Sequence, residues 1–400
     1  MHSRSRLAGY DPELLFKSKV LVVGAGAIGQ NLALDLALAG VGELDIVDFD
    51  TFEPHNATRS PLYPTAEEQV HWGMKKAKTV AHKLLPMMTA PTPKIRYAVA
   101  PIQELGDLPF MHVQLVFAAV DNQNARAYLA ERCHVVGRPL VEAGIFAEYL
   151  NVAVFGPEAD DPCYRCQSPE KVGAYSCTLS ALEMEAQQML PAIQNTAAVV
   201  AGLQAEIGIQ WLHGDQSLKN KRVYANIRSM MMRVVQLVRS PSCPGVHWQN
   251  TSFSPVELEV GGDDSLGRLL NVIGREIGFA EIRFPTELVV RNSCARCDCL
   301  TDARVPEWRW LVHPLCTQCG GLFNRARKDD QLSSKVGVYT DETEEDIVSL
   351  TCSQVGLPSG TLCEIWPEAN RVQLGERYLL RLKGSIDELM QEIAMAPEMF

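Results

Sequence analysis

Residues Lys19-Val-Leu-Val-Val-Gly24-Ala-Gly26-Ala-Ile-Gly29 decide the fold class. An unbroken apolar run ending in glycines predicts a buried parallel strand entering a tight turn, because a strand covered on both faces has no polar alternation. Asn31 to Gly40 follows as an Ala/Leu-rich helix, closed by a glycine suited to a left-handed cap. Glu43 to Asp48 reads as a second strand. The whole is a βαβ unit of about 30 residues, the opening of a doubly wound, Rossmann-like α/β domain. Further along, Val113–Val120 and Pro139–Ala143 are strand candidates, with a helix at Ala125–Val135 between them.

Outward from this unit, residues 178–213 show helical apolar periodicity, and Val223–Val238 is a strand-like stretch rich in Met and Val. Asp263 to Phe279 forms a separate amphipathic helix. From about Phe284 the composition changes to cysteine pairs, tryptophans and prolines, and an acidic stretch, Asp341 to Asp346, precedes short strand-like runs at Thr361–Trp366 and Arg377–Leu382. The expected division is 1–255 and 256–400, the second part an α+β extension with a zinc ribbon at about 284–325 and a small β-rich end.

Composition narrows the function classes. A formal charge of −11 argues against nucleic acid as the main partner, since phosphate contacts need a basic surface. No run approaches the roughly 20 apolar residues of a membrane span. The basic, polar stretch Met1 to Tyr10 lacks the apolar core of a secretory signal. Twelve cysteines in such a chain therefore read as reduced thiols in a cytoplasmic setting, used for metal and catalysis.

Gly24, Gly26 and Gly29 form Gly-x-Gly-x-x-Gly after a strand and before a helix, where backbone N–H groups and the helix dipole favour a phosphate. The default occupant is a dinucleotide. A dehydrogenase needs one acid after the second strand. Here Asp48 and Asp50 alternate, and Asn56 and Arg59 follow within eleven residues. Acids hold ribose hydroxyls, and a guanidinium forks onto phosphate oxygens. Lys75 and Lys76 come next, and Asp121-Asn122 closes the strand Val113–Val120, with Arg126 one helical turn on. An acid at the carboxyl end of such a strand suits Mg²⁺ bridging phosphates. Each residue alone reads more readily as a solvated charge than as a ligand; the ordered set points to ATP.

In the order and spacing of these motifs the chain resembles the ThiF/MoeB/ubiquitin-activating adenylation domains, over about residues 15–250. The segments carrying the likeness are Val-Gly-Ala-Gly-Ala-Ile-Gly, Val-Asp-Phe-Asp-Thr-Phe-Glu-Pro-His-Asn-Ala-Thr-Arg and Asp-Asn-Gln-Asn-Ala-Arg. The resemblance implies ATP-dependent adenylation of the C-terminal glycine of a ubiquitin-like or sulfur-carrier protein. It puts Asp50 on the ribose, Asn56, Arg59 and Lys76 on the triphosphate, and Asp121 on Mg²⁺. It also implies a homodimer, with Arg4 or Arg6 lent across to the partner's ATP, and transfer to a conjugating enzyme or a sulfur donor.

The cysteines divide into sets. Cys163-Tyr-Arg-Cys166 has the two-residue spacing that lets both sulfurs face one ion. The resemblance places a second pair near Cys243-Pro-Gly-Val-His247, which departs from it by ending in histidine, one residue further on. Cys294-x₂-Cys297 and Cys316-x₂-Cys319, eighteen residues apart, make a zinc-ribbon pattern on spacing alone, with Cys299 and His313 inside it as substitutes. Two Zn²⁺ sites are thus expected. Of the remaining thiols, Cys133 reads as buried, and Cys177 lies in the small, polar Gly173-Ala-Tyr-Ser-Cys177-Thr segment. Relatives that form thioesters carry the reactive cysteine in this crossover segment, so the resemblance makes Cys177 the nucleophile; an inert loop cysteine is the alternative. Cys352 sits in a loop resembling that of a sulfurtransferase, but the ribbon leaves no room for such a domain.

Competing readings are a sulfur-carrier adenylyltransferase for cofactor synthesis, a catalytically inactive scaffold, and an NAD-dependent oxidoreductase. No hydride-transfer constellation supports the last.

Overall fold

A computed structural model describes residues 3–146, 148–167, 193–243, 256–276, 280–294, 296–312, 316, 318–321, 334–339, 345–367 and 378–393. They pack as two units. One is Met1–Ile102, Pro109–Thr251 and Ile386–Phe400, and the other is Gln103–Leu108 with Ser252–Ser385.

The first unit is a nine-stranded sheet. Its strands are β1 Lys19–Val23, β2 Glu43–Val47, β3 Lys94–Ala98, β4 Leu115–Ala118, β5 Leu140–Phe146, β6 Tyr149–Phe155, β7 Lys221–Asn226 and β8 Met231–Gln236. A two-residue strand, Gln391–Glu392, lies at one edge, and the order runs from it through β3-β2-β1-β4-β5-β6-β7-β8. Pairings from β3 to β5 are parallel, and those from β5 to β8 antiparallel. The order reverses at β1, so ligands are expected outside the carboxyl ends of β1, β2 and β4.

Burial explains why the opening stretch forms β1: Val20, Leu21 and Val22 are fully covered, with helices Ala27–Ala39 and Gln194–Leu212 packed nearby. The helix begins at Ala27, four residues earlier than expected, because Gly29 lies inside its first turn. A Cβ on Gly29 would stand 1.8 Å from the Gly24 carbonyl oxygen. Gly29→Ala is therefore expected to destabilise the chain by about 3 kcal/mol, read as a lower thermal midpoint with the fold's circular dichroism retained. The expected cap holds: Gly40 is left-handed (φ 100°) and its N–H reaches the Ala37 carbonyl.

The apolar run 223–238 is a hairpin, β7 and β8, rather than a single strand. The Asn226 side chain accepts from the N–H of Arg228 and Ser229, and that local turn breaks a run which composition alone leaves continuous.

The second unit is an α+β layer. Its strands are β9 Val256–Gly261, β10 Ala280–Ser293, β11 Leu300–Pro306, β12 Ser334–Tyr339, β13 Leu362–Pro367 and β14 Tyr378–Lys383; Gln391–Glu392 is then β15. They run β11-β10-β13-β14-β9, with β12 also on β10. The helix Leu266–Glu276 buries Leu266, Leu269 and Ile273 in a core that includes Leu258, Ile282, Leu288 and Leu380. Cys352 and Cys363 sit in that core, and burial pushes the Cys352 thiol up to about 12, so it has no thiolate to offer a transfer reaction.

Candidate active site and cysteine clusters

The glycine turn is shaped for close approach. Gly24 is left-handed (φ 97°), and a Cβ there would stand 2.5 Å from the Ala119 carbonyl oxygen. This brings the loop after β4 against the turn, locked by the Ala119 N–H on the Val23 carbonyl (2.8 Å). Gly26 is the N-cap of the helix Ala27–Ala39, and a Cβ on it would meet nothing within 4 Å. The space left by its missing side chain, at the positive end of a helix, fits a phosphate.

The two alternating acids do different work. Asp48 is half-buried and accepts from Ala25 N–H (2.6 Å) and Asp50 N–H (2.7 Å), so both of its oxygens brace the turn. Burial pushes its pKa up, against the pull of Lys76 and those two N–H groups. Asp50 is half exposed and pairs with Lys76 Nζ at 2.9 Å. Backbone bonds from Lys76 N–H to the Asp50 carbonyl (3.0 Å) and from Phe52 N–H to the Met74 carbonyl (2.7 Å) hold the two segments together. Of the adjacent lysines, Lys76 is therefore the one that faces the acid.

Arg59 ends the 3-10 helix Pro54–Arg59 and is half-buried. Asn56 is buried, its Oδ1 accepting from the Glu53 N–H (3.0 Å). Asp121 is exposed on the loop between β4 and the helix Gln123–Val136. Asn122 caps that helix, accepting from the Ala125 N–H at 2.7 Å. Arg126 is held by the Val120 carbonyl (2.6 Å) and an ion pair with Glu142. Burial lowers the Arg126 pKa, and the charge of Asp121 acts on it in the opposite direction. Glu142, and Arg222 at 3.8 Å from it, went unnoticed in the sequence. The available signal was a lone acid inside the apolar stretch Leu140–Ala143.

Three sulfurs meet in the first unit: Cys163 lies 4.0 Å from Cys166 and 3.6 Å from Cys243. A zinc–sulfur bond of about 2.3 Å gives a tetrahedral sulfur–sulfur edge of about 3.8 Å, so the trio fits one ion. His247 lies outside the described residues, as do Cys177 and His313.

In the second unit Cys294, Cys297, Cys299 and Cys316 form one tight group. Sulfur separations are 3.7 Å for Cys297–Cys316, 3.3 Å for Cys299–Cys316 and 3.4 Å for Cys294–Cys319. Backbone N–H groups of Arg296, Gln318 and Gly321 point at the sulfurs of Cys294, Cys316 and Cys319 (3.3–3.4 Å). Such donors stabilise thiolates. The expected four-cysteine set thus gains a fifth member, Cys299, one of the two substitutes the sequence offers inside the ribbon.

Residues 6–245 match the family described as "ThiF family". The chain belongs to the ThiF family. Within it, the chain is 32% identical over 247 residues to the molybdopterin-synthase adenylyltransferase of Escherichia coli (strain K12), covering 59% of this chain and 91% of that protein. It is 29% identical over 254 residues to the sulfur carrier protein adenylyltransferase of Thermus thermophilus, covering 62% and 89%. Similarity to SUMO-activating enzyme subunit 2 of Dictyostelium discoideum is 32% over 149 residues, 37% of this chain and 22% of that protein. Among the described residues no helix is long and apolar enough to cross a membrane.

Proposed function

We propose that this ThiF protein uses ATP to adenylate the C-terminal carboxylate of a small ubiquitin-like or sulfur-carrier protein. The observation that carries the reading is the convergence of the glycine turn, the Asp50–Lys76 pair and the Asp121 loop on the carboxyl ends of β1, β2 and β4. Backbone N–H groups at Gly26 receive phosphate, and Asp50 takes the ribose hydroxyls. A half-exposed ion pair is worth at most about 1 kcal/mol, so phosphate readily draws Lys76 from Asp50. Arg59 adds a fork for phosphate oxygens, and Asn56 lies on the same short helix. Asp121 would hold Mg²⁺, which when bound offsets phosphate charge. The partner's carboxylate oxygen attacks the α-phosphorus, the bond to the bridging oxygen breaks, and pyrophosphate leaves with the electron pair.

In the finer reading, the Cys177 thiolate then attacks the acyl carbon, AMP leaves, and the thioester passes to a sulfur donor or a conjugating enzyme. Of the relatives matched nearly end to end, one is by name a sulfur carrier protein adenylyltransferase and another a molybdopterin-synthase adenylyltransferase, which makes a sulfur carrier the first partner to try. The residues beyond the family match favour protein modification as the second reading. Exposed apolar side chains on the edge strand β8, Met232 (61% exposed) and Val234 (50%) on one face and Met231 (71%) on the other, support a protein partner. The proposal includes two zinc sites, Cys163/Cys166/Cys243 with His247 and the ribbon cysteines, and a homodimer whose mass sedimentation would read.

Intact-mass spectrometry after incubation with ATP, Mg²⁺ and the partner tests the thioester. A dithiothreitol-sensitive adduct absent from Cys177→Ala is expected. An adduct that persists in Cys177→Ala would remove Cys177 from the mechanism.

A further inference from the structure

The chain's last described segment returns to the nucleotide-type sheet. β15 pairs antiparallel with β3, setting Gln391 against Tyr97 and Glu392 against Arg96. The Ile393 N–H donates to the Ile95 carbonyl at 3.1 Å, and Met390 is buried (2% exposed). Arg96, itself buried, ion-pairs with Glu392 at 3.3 Å and Asp387 at 3.6 Å. The Tyr97 hydroxyl donates to Gln391 Oε1. The segment is thus fixed by backbone, charge and side-chain bonds, although it lies some 140 residues beyond the end of the family match at residue 245.

It also builds a wall. A cleft of about 400 Å³ lies between Lys75 and Lys78 on one side, Ala98, Val99 and Ala100 at the carboxyl end of β3, and Leu389 and Gln391. This cleft adjoins the site described above. The Asp48 N–H donates to the Ala98 carbonyl (3.2 Å), and Lys75 precedes the lysine that pairs with Asp50. In a doubly wound domain phosphate sits at the β1 turn and ribose at the β2 acid, so the base extends one strand further, over the end of β3.

We infer that Leu389 and Gln391 form part of the nucleobase wall and set the preference for adenine. The inference rests on the reading that this chain binds ATP. Leu389 and the Val99–Ala100 stretch give the apolar faces a planar base needs. A glutamine amide complements adenine's neighbouring donor and acceptor, N6 and N7. Its carbonyl has two lone pairs, so it serves Tyr97 and a base together, while the amide nitrogen donates. Guanine presents an acceptor, O6, in place of N6, and the match is lost.

Calorimetric titration of the full chain with ATP and with GTP tests this, using wild type, Gln391→Ala, Leu389→Ala and Arg59→Ala. Gln391→Ala is expected to weaken ATP about 30-fold, the net worth of its two hydrogen bonds to the base, with GTP unchanged. The ATP/GTP preference then falls by the same factor, a readout that mere loosening of the segment would not give. Leu389→Ala should weaken both nucleotides several-fold, and Arg59→Ala both without changing the preference. Gln391→Ala and Leu389→Ala binding ATP like wild type would overturn the inference while leaving the proposed function standing. Equal losses for ATP and GTP in Gln391→Ala, with a lowered thermal midpoint, would overturn it as well. A wild type that binds neither nucleotide would sink the inference together with the reading beneath it.

Discussion

Asp121→Asn is expected to slow partner-dependent ATP–pyrophosphate exchange by at least about 100-fold while leaving the thermal midpoint in place. The reasoning combines exposure with position. Asp121 is exposed on a loop, so the fold asks little of it. That loop is nevertheless fixed: Ala119 is bonded to Val23 on one side, and Asn122 caps the following helix on the other. The carboxylate is thus presented at the carboxyl end of β4 beside the glycine turn, where negative charge on phosphate must be offset. Asparagine keeps the size and removes the charge, and the loss of one such electrostatic contribution costs on the order of 10²–10³ in rate. Raising Mg²⁺ should recover part of the loss if the residue acts through the ion. Exchange at the wild-type rate would remove Asp121 from the site, and a fall in thermal midpoint to match would make its role structural.

The second large effect concerns the ribbon cysteines. Cys316→Ser is expected to remove one zinc per chain and to unfold the region around β10 and β11, because structural zinc sites contribute on the order of 10 kcal/mol of apparent binding energy. Cys316 belongs to both four-cysteine sets, the spaced ribbon Cys294/Cys297/Cys316/Cys319 and the compact group Cys294/Cys297/Cys299/Cys316, so its loss breaks each of them. Cys299→Ser and Cys319→Ser should behave differently. Five sulfurs surround a site that needs four, and loss of either leaves a complete set. Metal content by atomic emission and thermal melting of each variant read both effects. Equal zinc content in Cys316→Ser and wild type would contradict the assignment, and so would zinc loss in both Cys299→Ser and Cys319→Ser.

Much of the nucleotide-type sheet was legible because its signals are local. The apolar run of β1 meets glycines, two of which, Gly24 and Gly29, could not carry a Cβ without a clash with a backbone oxygen. The helix Gln123–Val136 and strand β5 were visible as apolar periodicity. β3 was not, because its central Arg96 breaks the pattern, and its charge is answered by Glu43 on the neighbouring strand. β15 carries no local signal at all: two polar residues become a strand only because β3 offers an open edge.

The site was legible as a set of residue types but not as a division of labour. Sequence assigns Asp48 and Asp50 alike to the ligand, whereas the fold spends both oxygens of Asp48 on backbone N–H groups. Asn122 likewise serves as a helix cap. Glu142 pairs with both Arg126 and Arg222 across distances in sequence that no motif spans. Spacing rules found the ribbon pairs and offered Cys299 only as a substitute; it reaches the cluster through the turn at Asp298 (φ 54°).

The central claim is that this chain activates a carboxylate on a small protein as an adenylate. Incorporation of labelled pyrophosphate into ATP tests it most directly, with a sulfur carrier or ubiquitin-like protein of the same genome as partner. The account predicts exchange that requires Mg²⁺ and the partner, and that disappears when the partner's terminal glycine is deleted. Exchange unaffected by that deletion, or none with any such partner while ATP is bound, would contradict it.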